Sequence, residues 1–300
     1  MLGNLVMNFK KDFNALNIPW VESPFFPTLV EDLSEPEKGF ATKFNKDGYI
    51  IIDLKLTDDY INNILTDVDK LIDTDKANVQ QDYYTYSDSP RIFEAWKQSE
   101  NVRDLTLNDN ILGTLRFLYQ REPFPFSTIN FKKSSNQPLH SDAIHFHTSP
   151  PLWMVGVWVA LEDVDDETGT LQIVPGSHHW QESGYDYENL KLPIGNSDEE
   201  NEKNYRIYEE FIRQLVNEEG IVNVKLKKGQ ALIWASNLIH GGTVPLDKNR
   251  TRNTQAIHYM FEGCDEYYHP MFSRKSKGEY AKKWCDENNN IRNHNEQIKK

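Results

Sequence analysis

Apolar residues change their spacing along this chain, from a helix-like period at the front to short strand-like runs behind. Gly48-Tyr-Ile-Ile-Ile-Asp-Leu54 is a short β-branched run and predicts a buried strand. Thr57 then offers an N-cap, and Ile61, Ile64, Leu65, Val68, Leu71 and Ile72 recur at helical spacing. A second helix is predicted over 110–120, with Ile111, Leu112, Leu115 and Leu118 on one face. Ahead of these, Pro19, Pro24, Pro27 and Pro36 break any long helix in residues 1–45.

Past Pro125 the pattern predicts strands over 127–132, 139–146, 153–161, 170–174, 221–226, 231–234 and 254–261. Gly169, Pro175-Gly176, Gly229 and Gly241-Gly242 punctuate them. Helices followed by many short strands predict a mainly β fold with flanking helices, a sandwich or barrel. Residues 181–220 interrupt the strands as a charged insertion. Within it Ser197-Asp-Glu-Glu200 has the form of a capping box and opens a helix carrying Tyr205, Tyr208, Phe211, Ile212 and Leu215. The insertion either covers a site or decorates the surface. The tail over 273–300 is polar, with Tyr280 and Trp284 as anchors of a peripheral, fraying helix. No repeat or low-complexity linker divides the chain, so residues 1–300 are expected to form a single domain, its β core about 124–262.

Composition narrows the class. With 38% hydrophobic and 12% aromatic residues the chain can bury a core and does not resemble a disordered protein. No run approaches the roughly 18 apolar residues of a membrane span. Met1 to Lys10 carry no signal-peptide pattern, which leads to an expected cytoplasmic location. Cys264 and Cys285 read as free thiols in a reducing compartment. A net charge of −13 argues against a nucleic-acid partner. It argues less against a phosphorylated or CoA-linked substrate, since Lys132–Lys133 or Lys225, Lys227 and Lys228 could form a local basic patch; they fit solvated strand ends better. Oligomeric state is not specified by the pattern.

The chemistry concentrates in Pro138-Leu-His-Ser-Asp142. Positions i and i+2 of a strand point to one face, so His140 and Asp142 can converge on one ion. Leu232-Ile-Trp-Ala-Ser-Asn-Leu-Ile-His240-Gly-Gly supplies a distant histidine beside glycines that let backbone approach a ligand. Two histidines and one carboxylate form the facial triad of non-haem Fe(II) oxygenases, with the remaining positions open to cosubstrate and O2. Arg252, just before the last strand, offers a two-pronged grip on a carboxylate, and Arg250 shares its strand parity as the alternative clamp. His145 and His147 face away from His140 if the strand stays regular. His178 either lines the pocket or caps its turn, and His179 and Trp180 fit the surface or a lid. Trp153, Trp158 and Trp234 read as core.

The segment 126–261 resembles the phytanoyl-CoA dioxygenase family of Fe(II)/2-oxoglutarate oxygenases. The likeness rests on ordered motifs: Pro-Leu-His140-Ser-Asp142, Val157-Trp-Val-Ala-Leu-Glu-Asp-Val164, Gly169-Thr-Leu-Gln-Ile-Val-Pro-Gly-Ser-His178, and Lys228-Gly-Gln-Ala-Leu-Ile-Trp234 through His240-Gly. Gly48-Tyr-Ile-Ile-Ile-Asp and its following helix fit the family's N-terminal region. The resemblance implies a double-stranded β-helix (jelly roll, cupin-like). It implies His140, Asp142 and His240 as catalytic iron ligands, and Arg252 on the distal carboxylate of 2-oxoglutarate. Trp158, Thr128 and Thr243 are implied near the cosubstrate; Thr243 requires a one-residue shift from the family's spacing. The implied reaction uses Fe(II), 2-oxoglutarate and O2 to hydroxylate a small molecule, releasing succinate and CO2. An acidic residue at 142 favours hydroxylation over halogenation, because related halogenases have a small residue there. A cupin-type metal enzyme without 2-oxoglutarate and a non-catalytic binding protein remain as rivals. Substrate identity, acyl-CoA or small polar metabolite, stays open.

Overall fold

The computed structural model describes residues 17–73, 78–80, 91–183, 197–217, 220–263 and 266–268. The polar tail over 273–300, Met1 to Lys10, Cys264, Cys285 and much of the 181–220 insertion lie outside them. The front half contains α1 (Phe26–Leu29), α2 (Glu35–Asp47), β1 (Tyr49–Asp53), α3 (Asp58–Asp73), β2 (Asn78–Gln80), β3 (Arg91–Phe93), α4 (Glu100–Thr106) and α5 (Asp109–Tyr119). Then follow β4 (Pro123–Phe131), β5 (His147–Ser149), β6 (Met154–Ala160), β7 (Leu171–Ile173), α6 (Asp198–Leu215), β8 (Val222–Val224), β9 (Gln230–Ala235), β10 (His240–Gly242), β11 (Thr254–Phe261) and β12 (Glu266–Tyr268).

The strands form a large antiparallel sheet in the order β1-β9-β6-β11-β4-β3-β2 and a smaller one, β10-β7-β8. β5 and β12 make a separate pair. Register sorts the large sheet's residues into two faces. Ile50, Ile233, Val157, Ile257 and Thr128 stand side by side across five strands. Except for Thr128, that row belongs to an apolar core shared with helices α2 to α5 through Phe44, Ile61, Ile64, Leu105 and Leu115. The neighbouring row, Ile51, Leu232, Trp158, Ala256 and Ile129, looks the other way. Most of it packs with Ile173, Val224 and Leu238 between the two sheets. Two antiparallel sheets face to face with helices on one outer surface are the helix-flanked sandwich that the strand pattern predicts, in the jelly-roll form that the family resemblance implies. Among the described residues no helix is long and apolar enough to cross a membrane.

Three local expectations need correction. Pro36 does not break a helix but opens one, α2, which runs from Glu35 to Asp47. Ser34 and Glu37 cap α2 reciprocally, and Pro36 sits in its first turn, where proline costs no hydrogen bond. The strand expected over 139–146 is largely absent. Only His140 pairs, in an isolated bridge with His240, and the chain then turns through a 3-10 segment at Asp142–Ile144. Finally, Thr128 lies on the helix-covered face, beside Ile257 rather than Ala256, so it cannot reach a ligand held between the sheets.

Candidate metal centre

His140 and His240 exchange backbone hydrogen bonds of 2.8 and 2.9 Å, which extends the small sheet by one bridge and sets the two imidazoles side by side. The ring centroids are 4.6 Å apart. The distal strand is pinned from behind: the Ile239 N–H donates to Ser177 Oγ at 2.8 Å, and Asn237 Nδ2 to the His178 carbonyl at 2.6 Å. The Pro-Gly-Ser-His turn therefore acts as a scaffold for His240. His178 itself is buried against Gly48 with Nε2 on the Asn45 carbonyl, so it caps a turn and lies outside the metal cluster.

The protonation of both ligand histidines follows from their neighbours. His140 Nδ1 lies 2.8 Å from the Pro138 carbonyl, and His240 Nδ1 lies 2.9 Å from the Leu238 carbonyl. A carbonyl only accepts, so each Nδ1 donates a proton to it and each ring turns its Nε2 to the opposite side. Both Nε2 atoms face Asp142 Oδ1, at 3.8 and 3.7 Å. The three side chains are buried and offer donor atoms within 4.8 Å of one another. Burial, then repulsion from His240, pushes the His140 pKa down to about 3, so the ring is neutral and free to donate. Burial opposes the charge on Asp142. Attraction to His240, His258 and His140 and the Trp234 hydrogen bond outweigh it and hold the carboxyl below its usual range.

Asp142 is fixed by three elements. Trp234 Nε1, on β9, donates to Oδ2 at 2.8 Å. The Ala143 N–H donates to the Ser236 carbonyl at 2.9 Å. Tyr208 of α6 accepts from the Ser141 N–H at 2.9 Å, so the insertion helix packs directly on the metal-binding segment. Ile144, Tyr205, Tyr208, Ile212 and Ile239 form a small apolar core there.

Arg252 stands on the same inner face and is fully buried. Its guanidinium lies 5.2 Å from the Trp158 ring and 5.8 Å from the Phe131 ring. Its hydrogen bonds, to Ser134 Oγ, Gly169 O and Lys133 O, are all 3.4 Å long. It forms no ion pair, and its Nε has no hydrogen-bond partner, among the described residues. Burial and then repulsion from Arg91 push its pKa down to about 9. A second buried guanidinium, Arg91, lies 5.5 Å from the same Phe131 ring and reaches Gln137 Oε1 at 3.0 Å. Gln137 Nε2 in turn lies 3.1 Å from His140 Nε2. Arg91 is thus linked through Gln137 to the His-Asp-His cluster.

Other predicted residues fall differently. Arg250 is half exposed and pairs with Asp165 at 3.3 Å, away from the buried face that holds Arg252. The Thr243 hydroxyl is committed to Thr170, whose N–H donates to it at 2.8 Å. The turn at Asp142 defeats the parity argument for His145, whose ring sits 6.0 Å from that of His140 and 5.6 Å from Tyr205. His258 was not singled out by the sequence. Its Nε2 is 4.0 Å from Asp142 Oδ2, its ring lies between Phe126 and Phe146, and its Nδ1 has no partner among the described residues. Period-two alternation with Arg252, Thr254 and Ala256 is the signal that marks it as inward-facing. Arg91 and Gln137 carry no comparable signal, because a three-residue strand and a loop have no readable period.

This fold and cluster define a jelly-roll protein with a buried His-Asp-His metal centre. The chain belongs to the phytanoyl-CoA dioxygenase family, whose model (Phytanoyl-CoA dioxygenase, PhyH) matches residues 44–245. It is 27% identical over 136 residues to peroxisomal phytanoyl-CoA dioxygenase of Rattus norvegicus, covering 44% of this chain and 36% of that protein. The match thus spans about a third of the length of that relative. Ectoine dioxygenase of Nocardia farcinica is 25% identical over 222 residues, covering 66% of this chain and 69% of the relative. Among solved structures, the non-heme alpha ketoglutarate dependent carbocyclase SnoK from nogalamycin biosynthesis superposes with a TM-score of 0.60 at 15% identity, covering 85% of this chain and 92% of that one. EctD from S. alaskensis with 2-oxoglutarate and 5-hydroxyectoine gives 0.58 at 20% identity, with 81% of each chain covered. At these identities the solved structures establish the jelly-roll fold.

Proposed function

We propose that the protein is an Fe(II)- and 2-oxoglutarate-dependent dioxygenase that hydroxylates a small molecule, with His140, Asp142 and His240 as the iron ligands. The observation that carries this reading is the donor set: two imidazoles oriented by backbone carbonyls at Nδ1 and one buried carboxylate offer ligand atoms within 4.8 Å of one another. A mixed nitrogen and oxygen set of that kind suits Fe(II) and leaves positions for cosubstrate and O2. When bound, the iron supplies the oxidative chemistry that converts 2-oxoglutarate and O2 to succinate and CO2 and delivers oxygen to a substrate C–H bond.

The chain's own residues bind, orient and exclude water. Arg252 is a buried cation that forms no ion pair among the described residues and leaves its Nε without a hydrogen bond, an arrangement that a ligand anion would complete. The far carboxylate of 2-oxoglutarate completes it, gripped by the two-pronged guanidinium. Arg91 adds positive charge to the same pocket, and Phe131 and Trp158 wall it against water. Asp142 occupies the third ligand position, which leaves no room for a halide and favours hydroxylation. His145, Phe146, Tyr205 and His258 border the cluster and form the substrate wall. The two cysteines in 300 residues and the Fe(II) requirement support a reducing, cytoplasmic setting.

Calorimetric titration of the Mn(II)-loaded protein with 2-oxoglutarate tests the clamp. Replacing Arg252 with Ala weakens binding by about 30-fold or more, the lower end of what truncating a buried charge pair costs. Arg250→Ala leaves it unchanged. The reverse pattern would overturn the assignment.

A further inference from the structure

We propose that Trp234 is a positioning residue for the metal-binding carboxylate, and that Gly156 is the space that lets it act. The proposal rests on the iron-site reading above. The two oxygens of Asp142 have unlike surroundings. Oδ1 faces Nε2 of His140 and His240, at 3.8 and 3.7 Å. Oδ2 accepts the Trp234 Nε1 hydrogen bond at 2.8 Å in a fully buried setting. An indole N–H is a donor only, so this bond exists solely while Oδ2 acts as its acceptor. It thereby turns Oδ1 toward the histidines and holds Oδ2 away from them. A one-pronged carboxylate keeps free a coordination position that a two-pronged one would fill.

Gly156 explains how a tryptophan fits there. It stands directly opposite Trp234 on one side and His258 on the other. A Cβ built at residue 156 would lie 2.2 Å from Cε2 and Cζ2 of Trp234 and 2.7 Å from its Nε1. Its backbone is not in the left-handed region, so glycine is required here for space alone. With that space the indole lies flat across β6, 4.9 Å from the His240 ring, and its N–H reaches the turn. The same end of β9 holds the turn's backbone through the Ser236 carbonyl. One strand therefore orients both the chain and the side chain of Asp142. Hydrogen bonds of this kind to metal-binding groups typically change metal affinity or activity by about 10–100-fold.

The test uses the full chain and Mn(II) alone, with a spectroscopic readout on the Co(II)-loaded protein. Trp234→Phe keeps a ring over Gly156 and deletes the donor. It should weaken Mn(II) binding by about 10-fold or more and alter the intensity of the Co(II) visible bands. Gly156→Ala, which displaces the indole, should weaken Mn(II) binding comparably, and the double variant should be no weaker than either single one, because both act through one bond. Mn(II) affinity and Co(II) spectrum both unchanged in Trp234→Phe would overturn the proposal, as would additive losses in the double variant. A wild-type protein that binds neither metal would overturn the iron-site reading itself, a result distinct from either of these.

Discussion

Glu22 carries a carboxyl whose two oxygens are buried and have no hydrogen-bond partner among the described residues. Burial pushes its pKa up from 4.5 to about 8, and its charge would also raise that of the buried Tyr119 phenol. Folded Glu22 therefore keeps its proton to about pH 8, whereas the unfolded chain releases it near 4.5. Between those limits the folded state binds more protons, so stability falls as pH rises through the window. Glu22→Gln, which cannot ionise, should flatten that fall in melting temperature; an unchanged slope would contradict the assignment. The metal cluster shows the opposite balance. Asp142 is equally buried but has three histidines and an indole N–H around it, so its charge is retained. Of the site's residues, His140, Asp142, His240, Trp158 and Arg252 are visible in the sequence as motif positions. Arg91 and Gln137, on a three-residue strand and a loop, are not, His258 is marked only by its alternation with Arg252, and the hydrogen-bonding role of Trp234 depends on which distant segment lies opposite.

Elements position these residues more than their own propensities do. The segment after His140 is a 3-10 turn, and its shape depends on contacts from β9 and α6 rather than on a strand period. That is why alternation predicts the convergence of His140 and Asp142 but misplaces His145. α6 is legible from its Ser197 cap and its apolar stripe, yet nothing local says what it covers. Tyr208 supplies the answer by accepting the Ser141 N–H. Tyr208→Phe leaves that donor buried and unpaired, so it should destabilise the protein by about 1–3 kcal/mol in urea denaturation. A stability equal to wild type would mean that α6 does not hold the metal-binding segment. The missed helix α2 has a similar lesson: Pro36 marks a helix start as readily as a break, and only the cap at Ser34 and Glu37 distinguishes the two.

At the scale of the molecule, the jelly roll follows from the alternation on β6, β9 and β11, whose rows separate a helix-covered core from an inter-sheet core. The short strands β2, β3, β5 and β12 have too few residues to show a period, and the pairing of Thr128 with Ile257 is a matter of register that the sequence does not state. The fold holds a His-Asp-His cluster and a buried arginine that forms no ion pair among the described residues, and the proposed function requires one cosubstrate to bridge them. The most direct test needs no knowledge of the substrate. Under anaerobic conditions, Fe(II) and 2-oxoglutarate are added together and the visible charge-transfer absorption of the chelated keto acid is recorded for the wild type and for Asp142→Ala and Arg252→Ala. A band is expected in the wild type that is lost in the first variant and in the second returns only at much higher 2-oxoglutarate. No band in the wild type, or an undiminished band in Asp142→Ala, would contradict it.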